Sequence, residues 1–258
     1  MSTNSTTNIT EAGRGRSTAI AGKTVLVTGA NRGLGQALVE EALRRGAKRV
    51  YAASRQPIAD PDERVTPVVL DVTDVAQIQA AAERVESLDI LINNAGVSVS
   101  DDLSDRAAFD QHFAVNLFGT WSVTEAFLPS LGKSRGTVLN VVSLGALAAV
   151  PVLPAYSASK AAALSLTQSL RALLAGSGVK VYAVLPGPID TDMVRDLPIP
   201  KTAPESVAQG IFDGLENGDE DIFPDPMSAT LAAGWRSGVA KELERQNAAL
   251  VQAEPPAS

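Results

Sequence analysis

The stretch Thr24-Val25-Leu26-Val27-Thr28-Gly29-Ala30-Asn31-Arg32-Gly33-Leu34-Gly35 decides how the rest of the chain is read. Its first five residues are apolar or β-branched with no polar alternation, as a strand covered on both faces requires. Glycines follow at once, and a helix-period stretch runs from 34 to about 45. A strand that turns through glycines into a helix presents backbone N–H groups at the helix N-terminus. Glycine supplies the permissive φ angles and lacks the Cβ that would hold an anion away. The spacing is Gly-x3-Gly-x-Gly, a departure from the general Gly-x-Gly-x2-Gly dinucleotide fingerprint. Such glycines also suit tight packing. Their place after the first strand favours a dinucleotide, which sits outside the carboxyl ends of such strands. The expected contacts are Gly29, Asn31, Arg32, Gly33, Leu34 and Gly35.

Outward from this turn the same alternation repeats. Strands are expected at 49–53, 66–70, 88–92, 137–142 and 179–185, with helices at 74–86 and 155–175 between them. This pattern predicts an α/β fold: a Rossmann-type doubly wound parallel sheet with helices on both faces. No linker or internal repeat divides it, so residues 21–252 are expected to form a single domain that binds the dinucleotide and carries the catalytic groups. Residues 1–20 and 253–258 are expected to be flexible tails, because few apolar side chains there offset the entropy of ordering. A helix is expected at 204–216, and another around 228–250 with a break near Gly234 or Gly238.

Composition removes several alternatives. The chain of 258 residues has no cysteine, which excludes disulfides, thiolate metal sites and a cysteine nucleophile. A single histidine, His112, excludes multi-histidine metal sites and is taken as an ordinary helix residue. A net charge of −7 gives no general attraction to nucleic acid or anionic membrane. With no apolar run of membrane-spanning length and no signal-like N-terminus, a cytoplasmic protein acting on a small molecule is expected.

The second strand ends Tyr51-Ala52-Ala53-Ser54-Arg55, with no acid before Asp60 to receive a ribose 2′-hydroxyl. Arg55 there, beside Ser54, suits a 2′-phosphate through its planar fork of donors, and Arg32 would approach the same group. NADP(H) is therefore expected in preference to NAD(H). Asp71, followed by Val72 after the third strand, would accept from the adenine amino group or cap the next helix, a role for which Asp74 competes. Asn94, Ala95 and Gly96 after the fourth strand would let the chain pass close to the cofactor, though turn chemistry alone also accounts for them.

Tyr156 and Lys160 stand at i, i+4 at the start of the long helix, on one face. A free phenol has a pKa of about 10, and a neighbouring ammonium favours the phenolate. This pair would deliver the one proton that reduction of a carbonyl requires. Ser143 ends the strand before them, on the same sheet edge, where a hydroxyl would hold the substrate oxygen. Asn116, polar within the apolar stretch 113–118, needs either a water network or backbone partners.

Together these motifs resemble the short-chain dehydrogenase/reductase family over about residues 23–192, in its branch of about 250 residues, and in particular its NADP(H)-preferring carbonyl reductases. The residues that carry the resemblance are Thr28 to Gly35, Asn93-Asn94-Ala95-Gly96, Asn116, Ser143, Tyr156 with Lys160, and Pro186-Gly187 followed by Thr191. The resemblance implies that Tyr156 is the general acid/base, that Lys160 lowers its pKa and bonds the nicotinamide ribose, and that Ser143 holds the substrate oxygen. It also implies that Asn116 supports a water relay to Lys160, that Pro186, Gly187, Ile189 and Thr191 border the nicotinamide, and that the protein is a homodimer or homotetramer. Small residues along the long helix, Ala158, Ala161, Ala162 and Ala163, fit such an assembly or close packing on the sheet. The expected substrate walls, 97–99, 144–147, 152–154 and 189–200, include Leu144, Leu153 and Met193 and are mostly apolar. Arg195 is the one candidate clamp for an anion. An uncharged, fairly hydrophobic ketone, aldehyde or secondary alcohol follows. An NAD-dependent alcohol dehydrogenase of the same fold is one alternative. A non-catalytic dinucleotide sensor is another, although it has no chemical need for Tyr156, Lys160, Ser143 and Asn116 together.

Overall fold

The computed structural model describes residues 20–57, 60–195 and 198–252. Seven parallel strands form one sheet: β1 (Thr24–Thr28), β2 (Arg49–Ser54), β3 (Val65–Val69), β4 (Ile90–Asn93), β5 (Thr137–Val141), β6 (Lys180–Val184) and β7 (Asp221–Ile222). Their order is β3-β2-β1-β4-β5-β6-β7, with Val25 opposite Val50 of β2 on one side and Ile90 of β4 on the other. The order therefore reverses between β1 and β4. A crevice opens there at the carboxyl ends of the strands, which is where such sheets bind their ligands.

Alternate side chains of β1 enter different cores, which explains its unbroken apolar run. Val25 and Val27 pack with residues of α1 (Gly33–Arg44) and α6 (Pro204–Asn217), among them Leu38, Val207, Ile211 and Phe212. Leu26 faces the other layer with Ile78, Phe127, Leu131 and Leu170. That layer is formed by α2 (Val75–Arg84), α4 (Thr120–Ser134) and α5 (Pro154–Leu174). Ile20, counted with the tail in the sequence, is fully buried in the first core. The remainder of the expected tails, 1–19 and 253–258, lies outside the described residues.

The expected elements recur with shifted ends. Helix 74–86 is α2, which starts one residue later because Asp74 is its N-cap and accepts from Gln77 N at 3.1 Å. Strand 88–92 begins at Ile90, because Asp89 turns its carboxylate to Thr24 N (2.8 Å) and Lys23 Nζ (3.1 Å). The segment 228–250 is two helices, α7 (Pro226–Arg236) and α8 (Val239–Gln252), broken at Gly238, where a Cβ would lie 2.8 Å from Gly234 O. The two-residue β7 has too few side chains to show a period in the sequence. Between α3 (Arg106–Phe113) and α4 one π-helical turn spans Ala114–Gly119, a widening that 3.6-residue periodicity does not anticipate. Among the described residues no helix is long and apolar enough to cross a membrane.

Candidate active site

The glycine turn is shaped by close approach. Gly29 (φ +66°) and Gly33 (φ +54°) occupy left-handed conformations, and a Cβ on Gly35 would fall 2.0 Å from Gly29 O. Thr28 Oγ1 accepts from the N–H groups of Asn94 and Ala95, each at 3.0 Å, while Asn94 Nδ2 donates to Thr28 O at 2.9 Å. The ends of β1 and β4 are thereby locked across the crevice. Arg32, at the N-cap of α1, makes no side-chain cap bond. No side chain of the cap thus competes for the helix's first N–H groups, the arrangement that suits a pyrophosphate. Asn31 and Arg32 are exposed, Leu34 and Gly35 are buried, and Gly33 lies against Thr191, whose methyl would be 3.0 Å from an added Cβ.

Around the adenine side, Ser54 is buried and its hydroxyl donates to Gln56 O, while Arg55 is exposed. Asp71 Oδ1 accepts from Thr73 N (2.9 Å) and Thr73 Oγ1 (2.7 Å), so it orders a turn, and Asp74 alone caps α2. The Thr73 bonds hold the Asp71 carboxyl below its ordinary pKa, and the nearby Arg55 charge adds to that effect. Val72 is buried against Gly119. The Arg32 guanidinium reaches Asp192 Oδ2 at 2.7 Å. Both partners are largely exposed, so the pair contributes little, about 0–1 kcal/mol.

The proton-handling residues do converge. Ser143 follows β5, and its Oγ accepts from Gly145 N at 3.0 Å at the start of a one-turn helix, Leu144–Ala146. Tyr156 and Lys160 lie in the first two turns of α5. Burial pushes the Tyr156 phenol up, opposed by a hydrogen bond with Ser143. Burial also lowers the Lys160 ammonium, to about 8, and Nζ donates to Val141 O at 2.8 Å. Desolvation thus acts on both groups, moving the phenol up and the ammonium down.

Asn116 sits in the π turn and is 1% exposed. Its Oδ1 accepts from Val97 N at 2.9 Å, and its Nδ2 donates to Val97 O (3.0 Å) and Ser159 Oγ (2.9 Å). The Val97 backbone and the Ser159 hydroxyl are thus its partners. It still borders Lys160: a Cβ on Gly96 would lie 3.3 Å from Asn116 Oδ1 and 3.6 Å from Lys160 Nζ.

His112 is more than an ordinary helix residue. Fully buried, it places Nδ1 2.7 Å from Ala108 O and accepts from Val99 N at Nε2 (3.0 Å), pinning the 97–99 wall, with its ring edge-on to Tyr156 at 6.3 Å. Reading position alone missed this, although a histidine one residue before Phe113 offered the signal. Ser159 was also missed; its Oγ donates to Tyr156 O at 2.7 Å and accepts from Asn116.

On the nicotinamide side, Pro186 is buried, Gly187 and Ile189 are partly buried, and Leu144 N donates to Pro186 O at 3.0 Å. Ile189 bridges to Thr202, closing the base of the segment between them. Its residues 196–197 lie outside the described residues. Met193 is exposed, Leu144 and Leu153 partly so. The candidate clamp Arg195 pairs with Asp192. Trp235 donates from Nε1 to Asp221 Oδ2 at 2.7 Å and packs with Val142, Leu164 and Leu185, an internal role.

Residues 23–201 match the family model described as short chain dehydrogenase, and the chain belongs to that family. The class so defined is an oxidoreductase of small organic substrates. Oxidoreductase UcpA of Salmonella typhimurium is 36% identical over 193 residues, covering 69% of this chain and 73% of the relative. The 2-(S)-hydroxypropyl-CoM dehydrogenase 3 of Xanthobacter autotrophicus is 36% identical over 203 residues, covering 72% and 79%. Among solved structures, a short chain dehydrogenase from Burkholderia cenocepacia in complex with NADP is 40% identical. It has a TM-score of 0.81 and covers 88% of this chain and 98% of that one.

Proposed function

We propose that this chain is an NADP(H)-dependent carbonyl reductase, interconverting an uncharged, fairly hydrophobic ketone or aldehyde with its alcohol. The observation that carries this reading is the convergence of three side chains: a Cβ on Gly145 would lie 3.4 Å from Ser143 Oγ and 3.7 Å from Tyr156 Cε1, and Lys160 Nζ stands 5.8 Å from the Tyr156 ring, on the sheet edge that also presents the uncapped N-terminus of α1. The turn Gly29 to Gly35 would hold the pyrophosphate, with Asp71, Val72, Asn94, Ala95 and Gly96 along the adenosine. Pro186, Gly187, Ile189 and Thr191 would lie against the nicotinamide. Arg55 with Ser54 at the end of β2 favours the 2′-phosphate, and the related Burkholderia protein was solved with NADP. The bound cofactor supplies or accepts the hydride.

The residues of the chain handle the proton and the oxygen. The Ser143 hydroxyl holds the substrate oxygen beside the Tyr156 phenol, which donates its proton to that oxygen during reduction. The Lys160 ammonium then steadies the phenolate, favouring charge where it develops. Val99, Leu144, Leu153 and Met193 give the substrate apolar walls, and Arg195, the one candidate clamp for an anion, pairs with Asp192. Loss of NADPH absorbance with a panel of ketones and aldehydes tests this reading. The parent should turn over neutral carbonyls in preference to oxo acids, and Tyr156→Phe should lose at least about 100-fold in kcat. Undiminished turnover in that variant would refute the assignment.

A further inference from the structure

One carboxylate outside this set ties two loops of the site together. Asp225 follows β7 and is 5% exposed. Its Oδ1 accepts from the N–H groups of Met227 (3.1 Å) and Ser228 (3.0 Å), and its Oδ2 accepts from the Ser228 hydroxyl at 2.7 Å. With Asp225 N donating to Ser228 Oγ at 3.2 Å, they make a capping box on α7. A fourth bond leaves the helix: Oδ2 also accepts from Gly187 N at 2.8 Å, in the turn after β6. The preceding carbonyl, Pro186 O, accepts from Leu144 N, next to Ser143. A Cβ on Gly187 would come within 3.0 Å of Asp225 Oδ1 and 3.3 Å of Met227 Sδ, so the turn sits directly on the start of α7.

A helix cap alone does not require this residue. Serine, threonine or asparagine would serve, with one oxygen accepting from the first turn. What aspartate adds is a second acceptor oxygen, aimed at Gly187. Four donors thus converge on its two oxygens, one of them from outside the helix.

We infer that Asp225 is a positioning residue: through Gly187 and Pro186 it sets the nicotinamide-side turn and the Ser143 loop relative to each other. This inference rests on the function proposed above. Asp225→Ser should keep a cap on α7 while being too short to reach Gly187. Ser228→Ala should remove the hydroxyl of the box while leaving the Gly187 bond intact. Three quantities separate the two roles: amide exchange at Gly187 and Leu144, kcat at saturating NADPH and carbonyl, and the urea midpoint.

The expected result is faster exchange at both amides and a kcat lower by about tenfold or more in Asp225→Ser, since small misplacements in a site cost rate steeply. Ser228→Ala should lower the urea midpoint and change neither exchange nor kcat. Parent-like exchange in Asp225→Ser, or an equal fall in kcat in Ser228→Ala, would overturn the inference. Should Asp225→Ser not fold, Asp225→Asn, with one acceptor oxygen for two tasks, should speed exchange at Gly187, and parent-like exchange there counts against the idea equally. A parent that binds NADPH but reduces no carbonyl refutes the proposed function instead, and the exchange data still decide whether Asp225 holds the turn.

Discussion

Lys160 Nζ stands 5.8 Å from the centre of the Tyr156 ring, one helical turn along α5, with its ammonium almost wholly withdrawn from solvent. Burial drives the two groups toward neutrality from opposite sides: the phenol keeps its proton to higher pH, and the ammonium loses its proton at about 8. Carbonyl reduction needs both protonated. The kcat/KM for NADPH, which reports the free enzyme, should be high below pH 8 and fall as pH rises through about 8. A pH–rate profile flat well beyond that point would contradict the assignment of Lys160.

The same burial makes Lys160 a stability liability. Its folded-state pKa of about 8 lies below the ordinary 10.5. Between these values the unfolded chain binds the extra proton, so stability should rise with pH across that window, and below it the penalty is complete at about 3 kcal/mol. Lys160→Met removes the penalty but leaves Val141 O without its donor, a loss of about 1 kcal/mol. Urea unfolding at pH 7 should find the variant more stable by about 1–2 kcal/mol and catalytically inert. A less stable variant would count against this account.

Two glycine-to-alanine changes should have opposite signs. At Gly35 a Cβ meets Gly29 O at 2.0 Å, whereas at Gly132 in α4 nothing lies within 4 Å. Gly35→Ala must displace the turn, costing about 3 kcal/mol or more, with loss of NADPH binding. Gly132→Ala should stabilise by about 0.5–1 kcal/mol through helix propensity alone. Melting curves and NADPH fluorescence read both.

Cofactor choice should reside largely in Arg55. Arg55→Ala should lower kcat/KM with NADPH by about tenfold or more, because a charge-assisted bidentate contact to the 2′-phosphate is lost. NADH should be used as before. A parallel fall with both cofactors would place Arg55 in the fold instead.

His112→Ala would leave Val99 N–H without its acceptor and open a cavity beside Tyr156. A destabilisation of about 2–4 kcal/mol is expected in urea unfolding. As the chain has one histidine, its ¹⁵N spectrum is unambiguous and should show Nδ1 protonated with Nε2 as acceptor. A spectrum showing Nε2 protonated would exclude the bond from Val99.

The residues around β1 determined a great deal by themselves. An unbroken apolar strand, a turn whose Gly35 has no room for a Cβ beside Gly29 O, and a helix starting at once are local necessities of a sheet covered on both faces with a helix end open to an anion. Tyr156 and Lys160 were legible for the same reason: helical spacing puts them on one face whatever surrounds them. Relationships between distant segments were not legible, because no local period encodes them. Only the tertiary structure decided that Asn116 spends its amide on Val97 and Ser159, that Arg32 and Arg195 share Asp192, and that His112 braces the wall beside Tyr156. It likewise decided that Asp225 reaches Gly187. Burial, which moves the Tyr156 phenol up and the Lys160 ammonium down, is a property of the assembled layers and appears in no stretch of sequence read alone.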